Sequence, residues 1–452
     1  MATTAAISQA MRNRGARRAY ASRMAQAVRD RAADSAEAAP GNRCGASRSV
    51  RGAGVGAVDG TGGAVDPASA VAAAEQAIGT ATEVQEAVRR REEEQSQGGM
   101  HVPQRLPAKG GATGLAAFAA YRKGARAPWW LFQGVCDAWG FDLFRTEIRL
   151  LTVSENATFV VLRGGKPYGV VRVSQPGYVG GPLAVQSEIA WMQALADVDG
   201  VNVSRVIPLS SGFNVAEIKD ESGTAWTCVC TAFVEGAVLE DLPDPSSFYR
   251  TIGRWAALFH RQARTWRPPE GFQRFTWDIP DMIGDHPRWG RWEDIAMPAE
   301  DFATCKRAEA AACAVIAEIP RDAQHWGLIH ADLRPSNAIL SRDGTLTVLD
   351  FDDCGYSYYL YDYAAALSFV EHEPYAPTMA KEWVAGYEEV TPLSSRDRAC
   401  ASALSMIRRL QMLGWTTNHY ADALPDGLYE AQAPGAVYCA KRYLENPTWL
   451  LD

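Results

Sequence analysis

The sequence predicts an α+β protein built from two lobes, a strand-rich lobe followed by a helix-rich lobe. Short apolar runs separated by turn residues occupy residues 148–234, and longer segments with helical spacing of apolar residues begin near residue 246. Tyr20 is the only aromatic residue among the first hundred, whereas tryptophan and phenylalanine are frequent after Phe118. The expected parts are a leader over residues 1–125, a first lobe over residues 126–236 and a second lobe over residues 237–452.

The predicted leader is expected to be disordered. It is rich in alanine, glycine, serine, arginine and glutamate, and such a segment buries too little apolar surface to offset the entropy lost on folding. A helix can form over residues 67–95, where alanine, valine and glutamate recur. Residues 1–29 carry six arginines and no acidic residue, which is typical of an organelle transit peptide. An over-long bacterial reading frame that starts properly at Met100 gives the same composition, so a cytoplasmic location and an organelle matrix both stay open.

The overall composition argues against several classes of protein. A formal net charge of -8 is opposite to what a nucleic-acid-binding surface requires, and no run of residues is long and apolar enough to cross a membrane. The nine cysteines are scattered without a Cys-x-x-Cys pair, so neither a disulfide framework nor a zinc site is predicted. The reducing cytoplasm is the natural location, and cationic or amine-bearing partners suit the charge.

In the first lobe the sequence predicts two helices and six strands. Leu131, Val135 and Trp139 recur at helical spacing in a segment that leads into the first strand. Ser-Glu-Asn and Arg-Gly-Gly-Lys-Pro turns separate the first three strands. The predicted helices are 129–139 and 183–195, and the predicted strands are 148–153, 158–162, 168–173, 203–208, 213–218 and 226–234.

The second lobe is predicted to be mainly helical. Apolar residues recur there at spacings of three and four, and turn residues interrupt the pattern between segments. The predicted helices are 246–264, 302–318, 360–371, 379–389 and 396–415.

The strongest functional signal is a loop sequence followed by a carboxylate at the end of a strand. Residues 330–337 read His-Ala-Asp-Leu-Arg-Pro-Ser-Asn and match the kinase catalytic-loop pattern His-x-Asp-x-x-x-x-Asn. Thirteen residues after Asn337, Asp350 ends an apolar run and begins Asp-Phe-Asp-Asp. Phosphoryl transfer needs positioning and charge neutralisation, so we expect Asp332 to accept a hydrogen bond from the attacking hydroxyl, and Asn337 and Asp350 to hold Mg²⁺ on the phosphates of ATP. A turn and a strand end without function would explain either segment alone.

These segments resemble the aminoglycoside phosphotransferase and choline kinase superfamily. Within it, His-Ala-Asp-Leu-Arg, residues 349–355 (Leu-Asp-Phe-Asp-Asp-Cys-Gly) and residues 361–366 (Tyr-Asp-Tyr-Ala-Ala-Ala) are similar to the branch that contains homoserine kinase type II and a bacterial stress-response Ser/Thr kinase. The likeness covers residues 141–444 and does not include the leader. It implies the two-lobed protein-kinase-like fold, with a first lobe that binds a nucleotide and a catalytic second lobe that binds the substrate, together with ATP and Mg²⁺.

The resemblance also assigns residues to the nucleotide. The turn Ser154-Glu155-Asn156 lies where the family carries its phosphate-facing loop, although the turn lacks the glycine-rich pattern of protein kinases. Arg172 on the third strand stands where kinases have a lysine, and Glu188 on the next helix is its expected partner. A plain hairpin turn and a surface ion pair are the alternatives.

Three further positions follow from the same resemblance. The segment from Phe233 to Glu235, followed by a glycine, resembles the hinge between the lobes, whose backbone would bind adenine. Asp362 resembles a position that supports the catalytic loop, which begins at His330. A strand end and a helix-start carboxylate are the alternatives for these residues.

The sequence leaves the phosphate acceptor open. The long segment between the helix predicted to end at Arg264 and the catalytic loop contains Trp266, Trp277, Trp289 and Trp292 beside Asp278, Asp281, Asp285, Glu293 and Asp294. In small-molecule kinases of the superfamily an insert here helps to build the acceptor site, and these side chains would suit an amine; simple packing is the alternative. We expect a phosphotransferase acting on an amino alcohol, amino acid, sugar or aminoglycoside. A protein Ser/Thr kinase of the stress-response type and an inactive pseudokinase are the competing interpretations.

Overall fold

The chain forms a five-stranded sheet with two helices, followed by a larger helical lobe. The predicted α+β architecture with a strand-rich first lobe is therefore confirmed. The computed structural model describes residues 100–101, 116–118, 121–174, 176–177, 180–418 and 428–452. The transit-type segment over residues 1–29 and the helix predicted over residues 67–95 lie outside these ranges.

The first lobe is built on an antiparallel sheet of five strands. After a short strand β1 (Met100–His101), which lies outside this sheet, the five strands are β2 (Thr146–Val153), β3 (Asn156–Arg163), β4 (Lys166–Ser174), β5 (Val215–Lys219) and β6 (Ala225–Ala232). Their order across the sheet is β2-β3-β4-β6-β5. The central strand is β4, where Arg172 lies opposite Thr158 on β3 and Val229 on β6. This position gives the Arg172 side chain a rigid base.

Two helices pack with this sheet, α1 (Trp129–Trp139) and α2 (Pro182–Leu195). Both helices and five of the six predicted strands are confirmed to within two residues. The strand predicted over residues 203–208 is wrong, because only Val203 and Val206 form isolated bridges there. Val203 pairs with Val348 of the second lobe and Val206 with Thr231 of the first, so this segment crosses between the lobes.

The folded region includes residues that the sequence assigned to the leader. The ring of Phe118 is completely buried, with its centroid 5.5 Å from that of Phe159 and 5.4 Å from that of Trp226. Phe118 therefore belongs to the core of the first lobe. A single aromatic residue at the end of a low-complexity segment was too weak a signal to move the predicted boundary.

The second lobe contains seven helices and several short strand pairs in the described ranges. The helices are α3 (Tyr249–Thr265), α4 (Ile279–Ile283), α5 (Ala299–Ala317), α6 (Tyr361–Ala366), α7 (Ala376–Glu388), α8 (Ser395–Asn418) and α9 (Leu428–Glu445). The strands are β7 (Ala237–Val238), β8 (Met297–Pro298), β9 (Trp326–Ile329), β10 (Ala338–Leu340), β11 (Leu346–Val348) and β12 (Gly355–Tyr358).

The helix predictions for the second lobe hold to within three residues, with one exception. The helix predicted over residues 360–371 ends at Ala366, and the chain reaches a left-handed conformation at Phe369, with φ 73°. Helices α4 and α9 were not predicted, and α9 contains Pro434, a residue that usually breaks a helix.

The lobes are joined by a strand pair. Strand β7 follows the first lobe directly and pairs with β10, which itself follows the catalytic loop. A side chain at Gly236 would bring its Cβ within 2.3 Å of the carbonyl oxygen of Leu340, so only glycine allows this approach. The hinge is thereby attached to the strand that follows Asn337.

The cysteines behave as the sequence predicted. The eight cysteines in the described ranges are all free thiols, and all but Cys313 are buried. Burial raises the pKa of Cys230 and of Cys354 to about 12, so both remain protonated core residues. Among the helices that the structure describes, none has the length and apolar character needed to cross a membrane.

Replacement of Phe118 tests its place in the core. We expect Phe118→Ala to lower the free energy of unfolding by about 3–5 kcal/mol, because the change leaves a cavity in the first lobe. Denaturant unfolding measures this loss. Phe144→Ala, at a position that is 99% exposed, is the control and should change stability by less than about 0.5 kcal/mol. Equal stability of the two variants would contradict the assignment.

Candidate active site

One buried carboxylate holds the loop that carries the catalytic motif. After β9 the chain takes the left-handed backbone conformation at Ala331, with φ 65°, which is unfavourable for a residue with a side chain. Asp362, in the first turn of α6, accepts hydrogen bonds from the backbone N–H groups of His330 (3.2 Å) and Ala331 (2.7 Å). These bonds stabilise the strained turn, so Asp362 lies where support for the loop is needed.

Two histidines extend this support. His330 Nε2 lies 3.1 Å from the carbonyl oxygen of Leu349. His260 Nε2 lies 2.9 Å from the Asp362 carboxylate, and its Nδ1 lies 3.0 Å from the hydroxyl of Tyr387. Burial lowers the pKa of His260, although Asp362 acts in the opposite direction, so the imidazole is neutral. The neutral ring donates its Nε2 proton to Asp362 and accepts the Tyr387 proton at Nδ1.

Three side chains converge on Asp332, which is 5% exposed. The amide nitrogen of Asn337 donates to Oδ2 of Asp332 (2.7 Å) and to its backbone oxygen (2.9 Å). Arg334 Nε lies 3.3 Å and Arg408 Nη2 lies 3.2 Å from Oδ1 of Asp332. Because Asn337 presents its amide nitrogen to Asp332, its amide oxygen faces away. The orientation of the Asp332 carboxylate is thus fixed from several sides.

An ion pair connects the central strand of the first lobe with the predicted metal carboxylate. Arg172 binds Glu188 on α2 through two contacts of 2.8 and 2.7 Å, which is a bidentate geometry. The same guanidinium lies 3.9 Å from Oδ1 of Asp350. The backbone of Asp350 also lies in the left-handed region, with φ 58°. The structure therefore brings Arg172, Glu188 and Asp350 together.

The turn between β2 and β3 folds down onto the second lobe. Asn156 donates a hydrogen bond of 2.5 Å to Asp352, and the buried Glu155 accepts one of 2.6 Å from the indole of Trp415 on α8. The N–H of Ser154 donates to the backbone oxygen of Asn156 (2.9 Å) and closes the turn. The predicted phosphate-facing turn therefore contacts the acidic segment that begins at residue 350.

Two carboxylates of this acidic segment are almost completely buried. Burial and the neighbouring carboxylates Asp350 and Asp353 raise the pKa of Asp352 well above its usual value. Burial, with Asp332 and Glu155 nearby, raises the pKa of Asp353 to about 8. Oδ1 of Asp353 has no hydrogen-bond partner among the described residues. A raised pKa favours the protonated, neutral form, and the positive charge of a bound divalent cation or ammonium group would stabilise the ionised form instead.

Asn337 and Asp350 suit a Mg²⁺ ion that arrives with a nucleotide. The described residues contain no group of three or more His, Cys, Asp or Glu side chains arranged to hold an ion alone. Mg²⁺ usually takes one or two oxygen ligands from the protein and the others from substrate phosphates and water. An amide oxygen and one carboxylate therefore fit the expected donor set.

The predicted hinge residues lie at the end of the first lobe. The N–H of Phe233 donates to the backbone oxygen of Tyr168 (3.1 Å). The side chain of Glu235 is exposed and lies 3.7 Å from Arg342. Both residues thus lie where the chain leaves the first lobe, and the binding of adenine by their backbone stays a prediction.

The tryptophans of the insert serve mainly in packing, which corrects the expectation that their faces receive an amine. Trp277, Trp289 and Trp292 are buried, and Trp266 packs against Phe272 with ring centroids 5.3 Å apart. The protein's own cations lie over the buried rings, with Arg288 5.3 Å from Trp277, Arg408 4.8 Å from Trp289 and Lys306 5.4 Å from Trp292. These aromatic faces already have cationic partners.

Most carboxylates of the insert also have structural partners. Asp278 and Asp281 form a capping box at the start of α4, and Asp278 binds Arg321. Glu293 lies 3.3 Å from Arg291 and 3.4 Å from Lys306. Asp294 lies in the short helical turn that follows Arg291. The side chain of Asp285 is exposed. The insert therefore stabilises the second lobe more than it presents acids to a ligand.

Sequence reasoning missed two buried arginines at the site. Arg274 Nε donates to the carbonyl oxygen of Cys354 (2.6 Å), and its Nη1 donates to that of Ala184 on α2 (3.1 Å). Arg408 contacts Asp332 from α8. Arg408 and Arg409 interrupt an otherwise apolar stretch of that helix, and this pair of charges was the available signal.

The chain is similar to proteins of known activity. Residues 148–404, more than half of the chain, match the model of the phosphotransferase enzyme family. Amicoumacin kinase from Bacillus subtilis (strain 168) is 22% identical over 245 residues, which cover 53% of this chain and 67% of that protein. The family that the catalytic motif indicated is therefore confirmed.

Solved structures show the same fold. The structure of the microcompartment-associated aminopropanol kinase is 33% identical to this chain with a TM-score of 0.62, and the match covers 71% of this chain and 98% of that one. The structure of amicoumacin kinase hAmiN in complex with AMP-PNP, Ca²⁺ and Ami is 15% identical with a TM-score of 0.54, and the match covers 69% and 92%. The predicted kinase-like architecture is thus confirmed.

Acidification should reveal the buried neutral state of His260. Its pKa in the folded protein is below the 6.5 of an ordinary histidine, so below that pH the unfolded chain takes up a proton that the native state does not, and the free energy of unfolding falls. The His260→Gln variant has no imidazole at this position, so its free energy of unfolding lacks this contribution from protonation. Denaturant unfolding at about pH 7.5 and 5.5 should show a smaller stability gap between wild type and variant at the lower pH. An unchanged gap would contradict this explanation.

Proposed function

Because the chain belongs to the phosphotransferase enzyme family, we propose that it transfers the γ-phosphate of ATP to the hydroxyl group of a small amino alcohol. It is a kinase, and the acceptor and the roles of individual residues are the proposed parts. The observation that carries the proposal is the arrangement around Asp332, where a buried carboxylate is oriented by Asn337 and two arginines, and where Oδ1 of the nearby Asp353 has no hydrogen-bond partner among the described residues. The 33% identity to an aminopropanol kinase supports the choice of acceptor.

In the proposed reaction Asp332 accepts a hydrogen bond from the acceptor hydroxyl and directs its oxygen at the γ-phosphorus. The new bond joins the acceptor oxygen to phosphorus, and the bond between phosphorus and the β,γ-bridging oxygen breaks, so ADP leaves. The hydroxyl proton passes to Asp332 and from there to solvent. Transfer of this kind depends on alignment more than on a strong base, which agrees with a carboxylate that already receives several hydrogen bonds.

The donor side is assigned to residues of both lobes. Arg172, fixed by Glu188, would contact phosphate oxygens, and the turn of residues 154–156 would cover them. Asn337 and Asp350 would hold Mg²⁺, which, when bound, neutralises charge on the phosphates. The backbone at Phe233 and Glu235 would receive adenine. Asp362 and His330 maintain the catalytic loop without contacting substrate.

The acceptor side is assigned to Asp353. Its Oδ1 is buried without a partner among the described residues, and Asp332 and Glu155 lie close enough to affect its charge. An ammonium group bound at Asp353 would satisfy this oxygen and relieve the repulsion between the carboxylates. A molecule whose amine is separated from its hydroxyl by two or three carbons can then present the hydroxyl to Asp332. The electrostatic influence of Asp332 on Asp353 places the two carboxylates in the same neighbourhood, which favours small amino alcohols.

Asp332→Asn should abolish most activity while the protein stays folded. We expect kcat for ADP release with ATP, Mg²⁺ and an amino alcohol to fall by about 10²–10⁴-fold, because the amide cannot accept the hydroxyl proton. Asp343→Asn, in the exposed turn before β11, is the matched control and should retain wild-type kcat. Activity of Asp332→Asn near the wild-type value would refute the proposed chemistry.

Asp353→Asn should impair recognition of the amine. We expect the KM for 1-amino-2-propanol to rise by about 10–100-fold, the size expected for loss of a charge-assisted hydrogen bond, with the KM for ATP little changed. Propane-1,2-diol, which lacks the amine, is the control acceptor and should be used equally poorly by both proteins. A parallel loss with ATP, or no change with the amino alcohol, would place the amine elsewhere.

A further inference from the structure

Arg408 has an unusual set of contacts for a residue deep inside a helical lobe. It lies on α8 and is 1% exposed. Its Nη2 donates to Asp332 (3.2 Å), its Nη1 to the hydroxyl of Tyr361 (2.6 Å), and its Nε to the hydroxyl of Ser368 (2.9 Å). The guanidinium also lies 4.8 Å from the ring of Trp289. All three nitrogens have partners, so the group is held in one orientation.

The positive charge of Arg408 stabilises two carboxylates. Asp332 and Asp353 both interact electrostatically with its guanidinium. Burial disfavours a lone cation, and these acids compensate it. Arg408 therefore contacts the carboxylate assigned to the hydroxyl and interacts electrostatically with the carboxylate assigned to the amine.

The neighbouring arginine belongs to a different pair. Arg409 is equally buried, but its Nη1 lies 3.0 Å from Glu371 and its Nη2 donates to the backbone oxygen of Gln432 (3.0 Å). Within the described residues its guanidinium forms no hydrogen bond or ion pair with Asp332, so α8 carries one charge that serves the fold and another that reaches the catalytic loop. The two positions form a matched pair for experiment.

We propose that Arg408 is a positioning residue for phosphotransfer, which keeps the Asp332 carboxylate turned toward the acceptor. The inference rests on the function proposed above for Asp332. Arg334 also reaches Asp332, but it belongs to the same loop and moves with it. Arg408 comes from a long helix of the core and is held by Tyr361 and Ser368, so it supplies a fixed reference outside the loop.

Substitution at the two arginines separates positioning from stability. Arg408→Gln should lower kcat by about 30–1,000-fold and leave the KM values for ATP and the amino alcohol within about threefold, since only the orientation of Asp332 is lost. Arg408→Lys keeps the charge without the planar fork and should give an intermediate kcat. Arg409→Gln should lower the melting temperature at least as much as Arg408→Gln but keep kcat within about threefold.

Milder variants keep the test decisive if Arg408→Gln does not fold. Tyr361→Phe and Ser368→Ala each remove one contact of the guanidinium without touching Asp332, and each should lower kcat by about 3–10-fold with unchanged KM for ATP. The proposal is overturned if these variants keep full kcat, if Arg408→Gln does so, or if Arg409→Gln loses as much kcat as Arg408→Gln. A wild-type protein that releases no ADP with any amino alcohol would instead refute the proposed function.

Discussion

The cleft depends on the compensation of buried negative charge. Its carboxylates are Asp332, Asp350, Asp352, Asp353, Glu155 and Glu188, and the arginines around them are Arg172, Arg274, Arg334 and Arg408. A carboxylate removed from water is costly unless a cation or several hydrogen bonds accompany it. Asp332 and Glu188 receive such partners from the protein, whereas Asp352 and Asp353 keep raised pKa values. The protein thus supplies part of the positive charge that compensates these carboxylates, and a bound ligand or ion would supply the rest.

The same contacts hold the two lobes in one arrangement. Arg274 binds backbone oxygens of the acidic segment and of α2, the helix that carries Glu188, and the N–H of the preceding Gln273 donates to Ser187 on that helix (2.9 Å). In kinases the ion pair between the sheet and this helix must be in place for activity. Here the insert contacts the helix directly, which fixes Glu188 relative to Arg172 and the acidic segment.

The sequence predicted those parts of the site that are contiguous in the chain. The catalytic loop and Asp350 follow a fixed spacing, and the strands around Arg172 show clear apolar patterns, so both could be found locally. Arg408 and Asp332 are far apart in sequence, and no spacing rule connects them. The tryptophans of the insert were expected to receive an amine because the composition of a segment does not show which ring faces are already covered by an arginine or a lysine of the protein. Phe118 and α9 show that short or proline-containing elements become recognisable only through their packing.

Recognition of an amine at this site must rest on charge and distance. An aromatic ring attracts a ligand cation only if its face is open, and the faces of Trp277, Trp289 and Trp292 have cations of the protein over them. Asp353 differs, because its unpartnered oxygen gains a hydrogen bond as well as a charge when an ammonium group arrives. Since Arg408 donates to Asp332 and interacts electrostatically with Asp353, it affects both groups that would receive the hydroxyl and the amine. Selectivity for a short amino alcohol would then depend in part on this one arginine.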